Sequence, residues 1–372
     1  MSTKIKKTLY LLADTRIFFY CCVWLIVLLV LGTLAQRNMG LHQAQENYFS
    51  SWAMMLGPVP LPGGRLTLLV IFLNLLFYFF FKATWNKRKI GLAITHLGAL
   101  CLLFGGFLTA YFSSEGSMLI PEGQTVGFYQ ENHSLELALT NQNPDNYNEV
   151  TSFSQGWLQE GRLLEAANFP GTLEVMAFYP HCKPVALSQV EPDFRGLARN
   201  YQLERLPLQK EWQENRAGMM LRLTGADAKD GVYLLLQDAK NPQKLNFSGA
   251  SFELNLRQKH IPLPFAIELL DFEKQVHPGT QKASSFKSKV NVVQDDNKRR
   301  VDISMNKPLR QNGYTFYQSS YTQDGRATVL SVVKNYGRRF PYIASIIMCF
   351  GLLIHLFIKL PGLATNARRM DA

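Results

Sequence analysis

The chain has 372 residues, 39 Lys and Arg against 28 Asp and Glu for a formal net charge of +11, and 47% hydrophobic residues. Its mean hydropathy of -0.05 averages four long apolar runs with a polar middle, which excludes a purely soluble globular protein. Much of the basic excess flanks the apolar runs and no basic-aromatic motif accompanies it, which argues against nucleic acid as a partner.

The predicted elements start with a basic segment, residues 1–16, holding Lys4, Lys6, Lys7 and Arg16. The first apolar run follows at 17–35. A helix rises ~1.5 Å per residue and the hydrocarbon core is ~30 Å thick, so about 20 apolar residues suffice to cross it. The basic start and the "TLA" ending also suit a cleaved signal peptide, but the run is long for that and is read as a retained span. A loop at 36–65 carries only Arg37 and Arg65. The second span is 66–81, the link 82–91 is basic (Lys82, Lys87, Arg88, Lys89), and the third span is 92–112. A long polar stretch, 113–339, precedes the fourth span at 340–360 and a tail at 361–372 with Arg368 and Arg369. None of the spans holds an acidic residue. The excess of Lys and Arg predicts both termini and the 82–91 link on the cytoplasmic side, with 36–65 and 113–339 outside.

The outer stretch is expected to be β-rich. Runs such as "SLELALT", "GTLEVMAFY", "GMMLRLTG", "ASFELNLRQ", "PFAIELLDFE" and "ATVLSVVKN" are short, bounded by turn residues, and several alternate apolar with polar positions. Ten candidate strands point to a sandwich or an irregular barrel. "LERLPLQKEWQENR" is the one segment there read as a helix.

Searching for chemistry returns mostly absences: no phosphate-binding glycine loop, no G-x-S-x-G, no H-E-x-x-H and no C-x-x-C. No catalytic residue is assigned. His133, His260 and His277 are scattered and read as ordinary surface residues, and the isolated pair His181 and Cys182 reads as structure more than as a metal site. Two intramembrane histidines stand apart. His96 lies about five residues inside the cytoplasmic boundary of the third span, and His355 lies at a similar depth in the fourth. A lone polar side chain in hydrocarbon costs roughly a few kcal/mol, so each is a functional hypothesis. Imidazole is a usual axial ligand of haem iron, and a largely apolar porphyrin fits between membrane helices. The bland alternative is a hydrogen bond between helices, from His96 to a backbone carbonyl or to Asn74.

The order of features resembles the ResB family, also called CcsB, of system II cytochrome c biogenesis. "LADTRIFFYCCVWLIVLLVLGTLAQ", "IFLNLLFYFF" and "THLGALCLLFGGFLTAYFSSEGSMLIPEGQTV" are similar to that family's first three spans and first outer strand. The most specific portion is "LPFAIELLDFEKQVHPGTQKASSFKSKV" followed by "DISMNKPLRQNGYTFYQSSY", where Asn306, Pro308, Gly313, Tyr314, Tyr317 and Gln318 fall as in the family pattern. The resemblance implies a multi-pass protein of the bacterial inner membrane. It would act with a CcsA-type partner as a non-catalytic or co-catalytic subunit of a haem lyase, meeting haem and apocytochrome c. It places His96 as an axial ligand to iron of a transient, non-covalent haem b. It gives no role to His355, whose pairing with His96 rests on matched depth alone. The partner's Trp-rich motif is not found in these residues, so synthetase activity would need the CcsA component. The competing expectation is a haem-free membrane sensor or assembly factor whose β domain binds another envelope ligand.

Overall fold

Four helices match the four apolar runs, each longer than the run that announced it because polar flanking residues continue the backbone hydrogen bonding. They are α1 (Thr15–Met39), α2 (Gly64–Phe77, prolonged by a π-helical turn at Tyr78–Lys82), α3 (Ile90–Phe112) and α4 (Phe340–Met370, apolar through Leu360). The computed structural model describes residues 9–370 except 84, 143–147, 168, 188, 190, 248–249, 278, 280–282, 296 and 323–325. The chain divides into a helical unit, residues 1–113 with 334–372, and a β unit, Ser114–Val333.

In the helical unit, Asp14 caps α1 by accepting from the Arg16 amide at 3.0 Å, and Gly40, with φ of 80°, ends it. A short hairpin, β1 (Ala53–Leu56) with β2 (Val59–Pro62), precedes α2. α3 and α4 pack through small residues. A methyl group on Gly91 would lie 2.5 Å from both the Gly351 carbonyl oxygen and the His355 amide, and one on Gly98 would lie 2.5 Å from Met348 Cγ. Such close backbone approach is how helices associate where no hydrophobic gain is available.

The β unit contains β3 (Ser114–Pro121), β4 (Thr125–Gln142), β5 (Asn148–Ser154), β6 (Leu163–Leu164), β7 (Thr172–Tyr179), β8 (Cys182–Ala186) and β9 (Tyr201–Arg205). Then come β10 (Gly218–Thr224), β11 (Gly231–Leu236), β12 (Gln243–Phe247), β13 (Ala250–Val276), β14 (Ala283–Gln294) and β15 (Asn297–Ser304). The last are β16 (Leu309–Gln311), β17 (Tyr314–Tyr321) and β18 (Ala327–Lys334). A 10-stranded sheet runs β15-β14-β13-β4-β3-β18-β17-β16, with β12 added to β13 and β5 to β4. It nearly closes into a barrel: its end strands approach, and Arg299 donates to Gln311 Oε1 at 2.9 Å. A 4-stranded sheet, β11-β10-β7-β6, shares a core with the first halves of β13 and the second half of β4.

Two apolar cores result. One gathers Leu137, Leu173, Leu221, Leu223 and Leu254; the other gathers Met118, Ile120, Tyr129, Ile267, Phe316 and Leu330. The 27-residue β13 runs through both, so the two runs "ASFELNLRQ" and "PFAIELLDFE" are one strand. Its Pro262 and Pro264 sit where the pairing with β4 shifts register, the place a sheet tolerates a missing donor. The helix expected in "LERLPLQKEWQENR" is not formed. Leu203 to Arg205 pair with β8, Pro207 blocks helical continuation, and only a 3₁₀ turn remains at Trp212–Glu214.

The family-like residues near the end hold the barrel together. Asn312 and Gly313, with φ of 48° and 83°, make the two-residue turn between β16 and β17 that both left-handed conformations require. Tyr314 packs edge-on to Tyr129 and Phe265, with centroids 6.1 and 6.2 Å apart. Gln318 accepts from Ser288 Oγ at 2.6 Å and donates to Thr328 Oγ1 at 2.9 Å, tying β14, β17 and β18.

Candidate functional site: an intramembrane histidine cavity

α3 is helical because Leu and Ala favour the helix, and every one of its backbone polar groups must be satisfied within the segment if it crosses a bilayer. His96 stands on its second turn. Its Nδ1 lies 2.6 Å from the Leu92 carbonyl oxygen, one turn earlier. A carbonyl can only accept, so Nδ1 carries the proton and donates, which leaves the Nε2 lone pair free in the neutral ring. Metal-binding imidazoles use this arrangement, one ring nitrogen anchored by a carbonyl and the other presented.

The ring faces a cavity of about 310 Å³ between α1, α2 and α3, lined by Thr15, Phe18, Asn74, Leu75, Tyr78, Thr95, His96 and Ala99. Tyr78 lies beside the imidazole, with centroids 5.4 Å apart and planes inclined by 32°. Tyr78 opens the π-helical turn, and such turns shift side chains off the ordinary helical register, often at functional sites. Asn74 is buried, yet it does not reach His96. Its Nδ2 donates to the Leu12 and Asp14 carbonyls at 2.6 and 2.9 Å, fixing the start of α1 against α2 and so the cavity wall.

His355 is not part of this cavity. Its backbone and Cβ pack against Gly91, where α3 and α4 meet, and its Nδ1 is buried without a hydrogen-bond partner. The two intramembrane histidines are therefore not brought together: His96 looks toward α2, His355 toward Gly91. Among the described residues there is no group of three His, Cys, Asp or Glu able to hold a metal ion.

Three further histidines, His133, His181 and His260, are engaged in packing or hydrogen bonding. His181 Nδ1 accepts from the Arg216 amide at 3.0 Å, and burial pushes the neighbouring Cys182 thiol up to about 11. The pair is structural. His260 stacks on Phe128 with centroids 4.2 Å apart, and burial, aided by Arg257, lowers its pKa to about 4. His133 packs edge-on to Trp212.

The donor set fits a haem. An imidazole anchored to its own helix through Nδ1 lines a space walled mainly by apolar and aromatic side chains and bordered by no carboxylate, Lys or Arg. The other lining residues include no His, Met or Cys, so a second histidine, methionine or thiolate ligand would come from outside this cavity. Sequence reading found His96 but not its setting. Tyr78 carried no signal beyond belonging to an apolar run and Thr15 fell in the basic segment before the first one, whereas the spacing of Leu92 and His96, four residues apart, contained the anchoring bond.

A membrane protein with four spans, an imidazole-lined cavity and a large β domain is the class these features define. Residues 242–329, which run from β12 into β18, match the ResB-like family. Protein NrfI of Wolinella succinogenes is 26% identical over 265 residues, covering 70% of this chain and 26% of that protein, so the chain spans about a quarter of its relative's length. Both matches support an assignment to the ResB/CcsB type of protein.

Proposed function

We propose that this chain is the ResB-like subunit of a system II cytochrome c synthetase. Its four spans hold haem, the cargo, on its way across the inner membrane, and its β domain presents apocytochrome c for covalent attachment. The observation that carries the reading is His96: Nδ1 bonded to the Leu92 carbonyl, Nε2 free toward an apolar cavity. Haem supplies the vinyl groups that become thioethers with apocytochrome thiols. The chain's own residues bind and orient it: His96 offers the axial nitrogen, Tyr78 and Phe18 flank the space, and Asn74 keeps α1 in position. A CcsA-type partner is the proposed source of the second axial ligand and of the remaining synthetase machinery. The distribution of Lys and Arg favours cytoplasmic termini and an external β domain. There, β5 pairs with β4 alone among the described residues, leaving an edge to which an extended peptide can add.

The test is whether haem copurifies. Detergent-purified protein, expressed with and without a CcsA-type partner, should carry a Soret absorption band in at least the paired preparation. A folded complex with no Soret band contradicts the reading and favours a haem-free assembly factor.

A further inference from the structure

The loop between α1 and α2 does not behave as an aqueous loop. Between Glu46 and Arg65 the chain carries no charged side chain. Within that stretch β1 and β2 form a hairpin whose outward side chains are apolar: Trp52, Met55, Leu56 and Val59 are 49%, 63%, 50% and 52% exposed. Met54 is buried and its cross-strand partner Leu61 half-buried, while both faces expose apolar side chains, Met55 on one and Leu56 and Val59 on the other. A hairpin in water would expose polar residues on at least one face.

Its foot is tied to the middle of a span. Trp24 Nε1 donates to the Pro62 carbonyl at 2.9 Å. Trp24 stands nine residues from the start of α1 (15 to 24) and fifteen from its end (24 to 39), about 14 Å along a helix about 37 Å long. Asn74 gives the same alignment independently. It meets Leu12 and Asp14, and ten residues back along the antiparallel α2 lies Gly64, level with Trp24. α2 therefore begins partway up α1, and the hairpin departs from that depth, while the Gln45–Phe49 turn lies beside the span's upper half with Phe49 against Gly32.

The backbone is suited to that place. Ala53 pairs with Pro62 and Met55 with Pro60, and proline has no N–H, so the hydrogen-bonded pairs of the ladder are Met54 with Leu61 and Leu56 with Val59. At Pro60 and Pro62 the open edge of β2 consequently presents no donor, and the Pro62 carbonyl is taken up by Trp24. Each unpaired backbone group costs free energy in hydrocarbon, so the two prolines reduce the cost of the β2 edge, while Ala53 and Met55 keep the outward groups of β1.

We infer that the Ala53–Pro62 hairpin is a membrane-inserted anchor, its exposed face buried among lipid acyl chains of the leaflet at the Met39 end of α1. The occupant is lipid, not protein, because the hairpin's foot is bonded to Trp24 within a membrane-length helix and no charged side chain lies between Glu46 and Arg65. The inference is independent of haem.

The test is a photoreactive benzoylphenylalanine introduced singly at Leu56 or Val59 of the full chain. Leu29, 59% exposed in α1, is the lipid-facing control, and Leu163, 60% exposed in the β unit, is the aqueous control. Irradiation in vesicles of phosphatidylethanolamine and phosphatidylglycerol should give phospholipid adducts at Leu56 and Val59 at a yield within about threefold of that at Leu29, and at least tenfold above Leu163. Yields at both hairpin positions equal to Leu163, in samples where Leu29 labels, overturn the inference. Polypeptide adducts replacing lipid adducts at both positions in native membranes also overturn it, and assign the face to a protein partner instead.

Discussion

The two faces of α3 use the same apolar helix in opposite ways. Toward α4, Gly91 and Gly98 admit the α4 backbone and Gly105 the Phe340 side chain, and the seam closes beside His355, whose buried Nδ1 has no hydrogen-bond partner. Toward α1 and α2, the helix keeps a cavity and points an imidazole at it. The contrast teaches how a membrane protein separates holding from handling. Dispersion at short range supplies association on one face, which leaves the other free to carry a group that packing would not choose.

The largest way to break this contrast is Gly91→Leu. Its Cβ would meet the Gly351 carbonyl and the His355 amide, backbone atoms that cannot rotate aside, so α4 has to move. Thermal or denaturant unfolding in detergent should register a loss of roughly 3 kcal/mol or failure to fold, as overpacking does. Gly106→Leu, with nothing within 4 Å of its added carbon, should stay within about 0.5 kcal/mol of wild type. Equal tolerance at the two positions would remove the distinction between the faces.

Asn74→Leu attacks the cavity wall instead. It leaves the Leu12 and Asp14 carbonyls without the amide, a cost of about 1–3 kcal/mol, and frees the start of α1. Unfolding and haem occupancy should fall together, whereas a stability loss with full occupancy would separate α1 from the cavity's function. Tyr78→Leu is milder. The ring contact with His96 is worth about 0.5–1.5 kcal/mol, so haem affinity should weaken a few-fold to tenfold, with Tyr78→Phe restoring most of it.

The smallest effect sharpens the contrast between a presented and a packed imidazole. His260 has a folded pKa near 4, below its ordinary value of about 6.5, so below pH 6.5 the unfolded chain takes up its proton more readily. The stability it contributes is present above pH 6.5 and is lost as the pH falls toward 4. Unfolding across that window should be less pH-dependent in His260→Gln, and an unchanged slope would show that the ring is not held neutral.

Much of this was legible in the sequence for a physical reason. Twenty apolar residues have few alternatives to a span, and short alternating runs have few to strands. His96 was visible because an imidazole in oil is costly. What escaped were features set by partners far along the chain. "LERLPLQKEWQENR" has helical periodicity, but pairing with β8 and Pro207 override it. β13 reads as two strands because its prolines look like breaks, although β4 pairs along both halves. The Ala53–Pro62 hairpin is too short and too proline-rich for a strand pattern. His355 was expected level with His96, but its backbone lies beside Gly91, five residues earlier on α3, while Gly351 is the residue of α4 that faces Thr95.

The most direct measurement is the absorption spectrum of the purified complex for wild type, His96→Ala and His355→Ala, each with and without added imidazole. The account predicts that the Soret band weakens or disappears in His96→Ala, that imidazole restores it, and that His355→Ala keeps it without help. An unchanged spectrum in folded His96→Ala, or a band lost only with His355, would contradict it.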